Sequence, residues 1–384
     1  MLNIACVIVG IGLLALVLWE TFETIVLPRR VTRQFRLTRL FYRSTWQPWR
    51  FIARRIHKKK AREAMYSYYG PLSLLMLMVL WAAGMVIGFA LIHFGDGESF
   101  NGALLPNRFG NALYISGTTF FTLGLGDITP ATPLGRFIIV FEAGLGFGFL
   151  ALVIGYFPVL YQSFSRRETT ITLLDARAGS PPTAFELLRR HSSPGTLQLE
   201  ALTDVLHTWE NLAADMMESH LSYPVLAYFR SQHDNQSWIG ALTAVLDVCA
   251  LSMVGLEGMC QYQARMTFAI ARHTVVDLSQ VFGARPQTEQ ATKRLSDDDL
   301  LFIRKELARS GFNLTLGEGA DAELKRLRAQ YEPYVMALAG YLGFVLPPWV
   351  KRDAPGKDNW QTTAWQLRQT PSTPQTASVQ DEHF

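Results

Sequence analysis

The sequence predicts an all-α membrane protein with an α-helical soluble part. Three observations carry this. Three apolar runs reach the roughly 20 residues that a helix needs to cross a bilayer. Between the first two, residues 29–62 hold thirteen Arg and Lys and no acid. From residue 166 onward the pattern is mainly helical. Composition agrees: 49% of the 384 residues are hydrophobic, 18% are charged and mean hydropathy is +0.12. That is apolar for a soluble chain and too polar for one wholly in lipid. The expected segments are a transmembrane helix (1–28), a basic cytoplasmic or interfacial segment (29–68), a central membrane domain (69–165), a helical cytoplasmic domain (166–350) and a disordered tail (351–384).

The first run extends from Leu2 to about Leu27. It has no basic residues ahead of its apolar core and no small-residue cleavage site, so it reads as a retained helix and not a signal peptide. Glu20 and Glu23 share one face near its inner end. Acids at that depth are usually paired, and Arg29, Arg30 or an Arg of the following stretch are the candidate partners.

The basic block marks the cytoplasmic side. The first helix therefore starts outside, the second returns outward and the third comes back in, which leaves the N-terminus outside and the C-terminus in the cytoplasm of a cell (inner) membrane. Aromatic residues are interleaved with the basic ones. Arg29, Arg30, Trp46, Trp49, Arg54 and Arg55 are expected to touch anionic lipid of the inner leaflet. A site held at the membrane makes nucleic acid an improbable partner.

The second run, Leu72–Phe94, opens after Pro71, which suits a first helical turn. The third runs from Leu134 to about Tyr161, with Arg166 and Arg167 marking its inner edge. Between them lies a short amphipathic stretch, Asn111 to Phe121, and then Thr122-Leu123-Gly124-Leu125-Gly126-Asp127. Two glycines at i, i+2 admit backbone conformations closed to residues with a Cβ. Successive carbonyl oxygens can then face one axis and replace the hydration shell of a monovalent cation.

Ala112-Leu113-Tyr114-Ile115-Ser116-Gly117-Thr118-Thr119-Phe120-Phe121 followed by Thr-Leu-Gly-Leu-Gly-Asp resembles the pore helix and selectivity filter of the potassium channel superfamily. The resemblance covers roughly residues 70–165. It is to the bacterial type with two helices and a pore loop, here with an extra N-terminal helix. It implies a tetrameric potassium-channel pore fold: a homotetramer in which each chain supplies one filter strand. Carbonyls of Thr122, Leu123, Gly124 and Leu125 would hold K+ as the permeant ion, with Gly126 adding a carbonyl and Asp127 at the outer mouth. The family pattern has Tyr or Phe where this chain has Leu125, and several relatives carry Glu where it has Thr118. Glu142 on the third run is then expected to brace the filter through Thr118 or Thr119. Gly146 falls at the family's gating hinge. Gly144 and Gly148 read as close-packing positions. Pro158 removes a helix hydrogen bond, and Ile154, Phe157 and Pro158 form a candidate apolar gate.

Beyond residue 166, helices are expected at about 196–219, 236–282, 297–309 and 321–342. Ile239–Leu256 is apolar enough to span but carries Asp247. His191, His207, His220 and His233, with Glu210, Asp215 and Glu218, match no zinc spacing and read as solvated. Cys6, Cys249 and Cys260 suggest no disulfide framework. No nucleotide-binding motif, cofactor site or nucleophile–base constellation is visible, so an enzyme is the weakest reading. The expected function is passive, potassium-selective conduction gated at the inner helices. The alternatives are a weakly selective monovalent cation channel or a non-conducting sensor or scaffold.

Overall fold

A computed structural model describes residues 2–27, 36–95, 97, 100–102, 107–193, 196–233, 235–256, 261–312, 314–315 and 317–352. Arg29, Arg30, Cys260 and nearly all of the expected tail therefore lie outside the described residues. Two compact units divide the chain, Met1–Gln162 and Ser163–Phe384. Among the described residues, four helices are long and apolar enough to cross a membrane by length and composition.

In the first unit, α1 (Leu2–Thr21) ends in a π-helical turn, Phe22–Val26. α2 (Leu37–Arg54) precedes α3 (Lys59–Gly95). Strand β1 (Phe100–Gly102), helix α4 (Arg108–Phe120), strand β2 (Ile128–Pro130) and the start of α5 (Pro133–Ala178) follow. α1 lies antiparallel on α3 through glycine. A Cβ on Gly10 would sit 2.6 Å from the Gly88 carbonyl oxygen, and one on Gly84 would sit 2.9 Å from Val17. Gly84 and Gly88 are four apart, the small-residue spacing that lets membrane helices approach closely. Leu14, Val17, Leu77, Trp81, Met85, Phe89 and Phe120 form the core above this contact.

α3 begins well before Leu72 and contains Pro71. The expected start at the proline is corrected for a physical reason. Ala61, Glu63, Ala64 and Met65 are strong helix formers, and Tyr66 and Tyr69 pack on Trp46 of α2, with ring centroids 5.8 and 4.7 Å away. The same contacts correct the expected lipid role of Trp46, which is buried. Trp49 is half-buried and donates to the Met65 carbonyl at 2.9 Å. Arg54 and Arg55 remain exposed beside exposed Leu40, Phe51 and Ile52, with Arg55 stacked over Phe51 at 4.2 Å. Glu20 accepts from the Thr38 backbone amide and hydroxyl at 3.2 and 3.0 Å. Glu23 accepts from Trp19 at 2.8 Å and lies 3.7 Å from Arg36, an Arg of the basic stretch.

The second unit is helical, with one short ribbon, β3 (Ser192–Ser193) with β4 (Thr196–Leu197). Its helices are α6 (Ala184–Arg190), α7 (Leu199–Ser222), α8 (Trp238–Gly255), α9 (Gln261–Phe282), α10 (Thr288–Thr292), α11 (Asp297–Arg309), α12 (Glu318–Ala329) and α13 (Glu332–Leu342). The segment expected as one helix over 236–282 is therefore two. So is 321–342, which breaks at Tyr331, where φ is −132°. The Tyr331 hydroxyl is turned inward onto Asp247 at 2.6 Å.

α8 is the central helix of this unit, buried from Trp238 through Ser252. Its Asp247 meets Arg294, which also donates to Glu332 at 3.0 Å. Arg328 and the Trp349 indole bind Glu332 from its other side, at 3.0 and 3.1 Å. Two acids and two arginines thus neutralise one another out of water. Removing one partner of such a network leaves an uncompensated buried charge.

Arg167, expected at the membrane edge, is buried within the second unit. Its guanidinium donates to the Leu226 and Phe229 carbonyls, both at 2.9 Å, and to Glu168 at 3.0 Å. His220 lies 3.2 Å from it. Of the four histidines read as solvated, His207 and His233 are exposed, while His191 and His220 are buried. His191 faces the Leu187 carbonyl at 2.7 Å. Among the described residues no group of three or more potential metal ligands occurs. Burial pushes the His220 imidazole well below its ordinary range, and the charge of Arg167 adds to the shift.

Asp247→Ala should destabilise the second unit by about 3–5 kcal/mol, measured by chemical denaturation of the detergent-solubilised chain. His220 gives a pH-dependent expectation. It stays neutral when folded and is free to charge when unfolded, so its contribution is fully present above about pH 6.5 and declines as pH falls through that value. The protection factors of the α7 amides, corrected for intrinsic exchange, should therefore fall on acidification, and His220→Gln should reduce that fall.

Candidate functional site

The site is the segment between α4 and α5. The Asn107 side chain caps α4 by accepting from the Phe109 amide at 3.0 Å. At the other end the Leu123 amide bonds the Thr118 carbonyl at 2.7 Å and the Thr122 amide bonds the Thr119 carbonyl at 2.9 Å. This is the paired bonding of a Schellman helix end, which places the next residue in the left-handed region. That residue is usually glycine; here it is Thr122, with φ +56°. A β-branched residue there is strained by roughly 1–2 kcal/mol. Gly124 and Gly126 follow with φ +54° and +77°. Every second residue from Thr122 to Gly126 is thus left-handed.

Asp127 closes the segment. The Tyr114 hydroxyl of α4 donates to its carboxylate at 2.7 Å. This is the one side-chain hydrogen bond from residues 122–127 among the described residues. Sequence reasoning missed it, although a tyrosine inside the expected helix was the available signal. β1 pairs antiparallel with β2, bringing Gly102 opposite Ile128. A Cβ on Gly102 would lie 1.8 Å from the Asp127 carbonyl oxygen, and φ there is +118°. Only glycine fits that approach. The Leu123 and Leu125 side chains are exposed on the chain and make no hydrogen bond.

Behind α4, Glu142 of α5 is fully buried. Its expected partners are corrected. Thr118 donates to the Ile115 carbonyl of its own helix at 3.0 Å, and no hydrogen bond joins Thr119 to Glu142 among the described residues. Glu142 instead accepts a very short hydrogen bond from Ser116 and faces Nε2 of His93 of α3 at 3.4 Å. Ser116 also reaches the Val86 carbonyl at 2.8 Å. A serine and a histidine inside otherwise apolar helical runs were the legible signals.

Gly146 also departs from expectation. A Cβ there would lie 2.1 Å from the Phe120 carbonyl oxygen, whereas Gly144 and Gly148 have nothing of the chain within 4 Å. Within the chain, the close approach is therefore at Gly146. It seats the end of α4 on α5. Ile154, Phe157 and Pro158 lie exposed on α5, which continues through Pro158.

A family model described as "Ion channel" matches residues 75–162. The chain is 26% identical over 184 residues to "Uncharacterized membrane protein YdjJ" of Bacillus subtilis (strain 168), covering 47% of this chain and 52% of that one. It is 32% identical over 90 residues to "Protein LctB" of Geobacillus stearothermophilus, covering 21% of this chain and 66% of that one. The chain therefore spans about half and about two thirds of these relatives' lengths. No solved structure matches. The matched segment holds most of α3, all of α4, the filter-like turn and α5 as far as Gln162, so this is a membrane protein that carries, at residues 75–162, a domain of the ion channel family.

Proposed function

We propose that four copies of this chain surround a common axis and conduct potassium ions passively through Thr122–Asp127. The observation that carries this is the left-handed backbone at Thr122, Gly124 and Gly126. Alternating the hand of successive residues turns their carbonyls to the same side, as a dehydrated cation requires. An α-helix points its carbonyls along the axis and a strand alternates them across it, so neither would line a pore this way. The strain at Thr122 is of the kind kept where surrounding structure over-determines it. α4 directs its C-terminal dipole to the same place, which favours a cation there.

The basic stretch supports an orientation with the N-terminus outside and the second unit in the cytoplasm. Exposed Arg54 and Arg55 beside exposed Leu40, Phe51 and Ile52 support contact of α2 with anionic lipid at the inner leaflet. Ile154, Phe157 and Pro158 serve as an apolar constriction on the inner part of α5. Bending at Gly146 would have to break its contact with Phe120, so motion below Gly146 is the easier route to opening.

A weakly selective cation channel is the second reading, because Leu125 makes no bond to α4 that would set the width of the filter. Reversal potential of the purified protein in liposomes under a potassium/sodium gradient separates the two. The expected outcome is a potential near that of potassium. Equal fluxes would favour weak selectivity, and a stable tetramer without flux would favour a non-conducting scaffold. Gly124→Val should abolish current, since Val cannot hold a left-handed φ without strain; persistent current would place the ion path elsewhere.

A further inference from the structure

Three buried polar side chains converge behind α4, each from a different helix. They are His93 of α3, Ser116 of α4 and Glu142 of α5, all at 0% exposure. None can reach water, so each depends on the others for its hydrogen bonds. The Ser116 hydroxyl carries one proton and meets two acceptors, the Val86 carbonyl at 2.8 Å and one oxygen of Glu142. It leaves the second carboxyl oxygen unserved. The group facing that oxygen is Nε2 of His93, at 3.4 Å. Nδ1 of the same ring has no hydrogen-bond partner among the described residues. The ring proton is therefore best used on Nε2, where it points at Glu142, with Nδ1 left as a bare acceptor. Phe100 of β1 closes the other side, its ring centroid 6.2 Å from that of His93.

The cluster sits above the contact of Gly146 with Phe120, one helical turn along α5. α4 is thus held to α5 at two levels: backbone on backbone at its end, and Ser116 on Glu142 higher up. His93 ties the same carboxyl group to α3. Thr122, the strained first residue of the filter, is bonded to α4 through the Thr119 carbonyl, and Leu123 after it through the Thr118 carbonyl. Freedom gained by α4 would therefore pass directly to the filter backbone.

We propose that His93 is a positioning residue for ion conduction: by holding the Glu142 carboxyl group it fixes Ser116, and with it α4 and the left-handed turn at Thr122. The proposal rests on reading Thr122–Asp127 as the ion path. His93 touches neither the ion nor the filter and acts only through Glu142.

The test compares wild type with His93→Phe, which keeps a ring and loses the donor, and His93→Gln, which keeps a donor. The two readouts are cation flux into liposomes per mole of protein and hydrogen exchange of the backbone amides. His93→Phe is expected to lower flux about tenfold and to accelerate exchange at Ser116–Gly126 by a similar factor, the scale of one buried hydrogen bond. Exchange along α1 should be unchanged, and His93→Gln should restore both readouts substantially. Wild-type flux and exchange in His93→Phe would overturn the proposal. So would Phe and Gln variants that are equally impaired, which would show a role for ring shape alone. If His93→Phe fails to fold, His93→Gln with Ser116→Ala decides: slowed conduction and faster filter exchange in Ser116→Ala alone support the chain of contacts, and unchanged behaviour overturns it. If wild type carries no flux, the ion-path reading falls, and the exchange readout alone decides whether His93 positions α4.

Discussion

A backbone amide or carbonyl inside a bilayer has to find its hydrogen bond within the protein, because no water is there to supply one. The helices of the first unit meet that constraint by construction. The stretch Leu123–Gly126 meets it only in part: the Leu123 and Gly124 amides reach the Thr118 carbonyl, and the stretch belongs to no helix or strand. Such a backbone is tolerated at membrane depth only where it lines a cavity or is covered by protein. Much of the first unit is arranged around that exception. α4 delivers it with a strained left-handed Thr122, Tyr114 fastens its far end at Asp127, and Gly102 lets β1 close against it.

The seat of α4 is equally constrained. Gly146 admits the Phe120 carbonyl oxygen at a distance that a side chain would forbid. Above that contact, three polar groups share a dry site and satisfy one another. Apolar packing around Trp81, Met85, Phe89 and Phe120 fills the space between, and α1 adds a further layer through Gly10, Gly84 and Gly88. Contacts of dispersion type are individually weak and non-directional. The glycine contacts and the buried hydrogen bonds supply the direction. In the second unit the same division of labour recurs. α8 is buried from Trp238 through Ser252, and the network of its Asp247 with Arg294, Glu332 and Tyr331 ties the neighbouring segments to it.

Some residues carried their roles on the surface of the sequence. The glycines of the filter-like turn, the capping side chains at Asn107 and Ser296, and the apolar runs are local features, and local physics is enough to read them. Other residues misled for reasons that are also physical. Trp46 lies among arginines and reads as interfacial, yet its ring is taken up by Tyr66 and Tyr69. Glu142 reads as a brace for the filter, but its partners come from residues 49 and 26 positions away, His93 and Ser116. Gly144, Gly146 and Gly148 are indistinguishable in spacing, and only the approach of Phe120 singles out Gly146. His191 and His220 resemble His207 and His233 in composition of their surroundings, while their burial depends on what packs over α6 and α7.

The sequence by itself determined that this chain crosses a membrane, which loop is basic and where a glycine-spaced carbonyl turn lies. Hydropathy, charge and glycine's freedom at positive φ act within a few residues and need no partner. Only the tertiary structure decided which helices meet Glu142, where α4 rests on α5, and that Asp247 is matched by Arg294 and Tyr331. Those outcomes depend on which groups far apart in the chain are desolvated together. A buried polar group has to be matched by whatever neighbour packing brings to it, and that neighbour is not written beside it in the sequence.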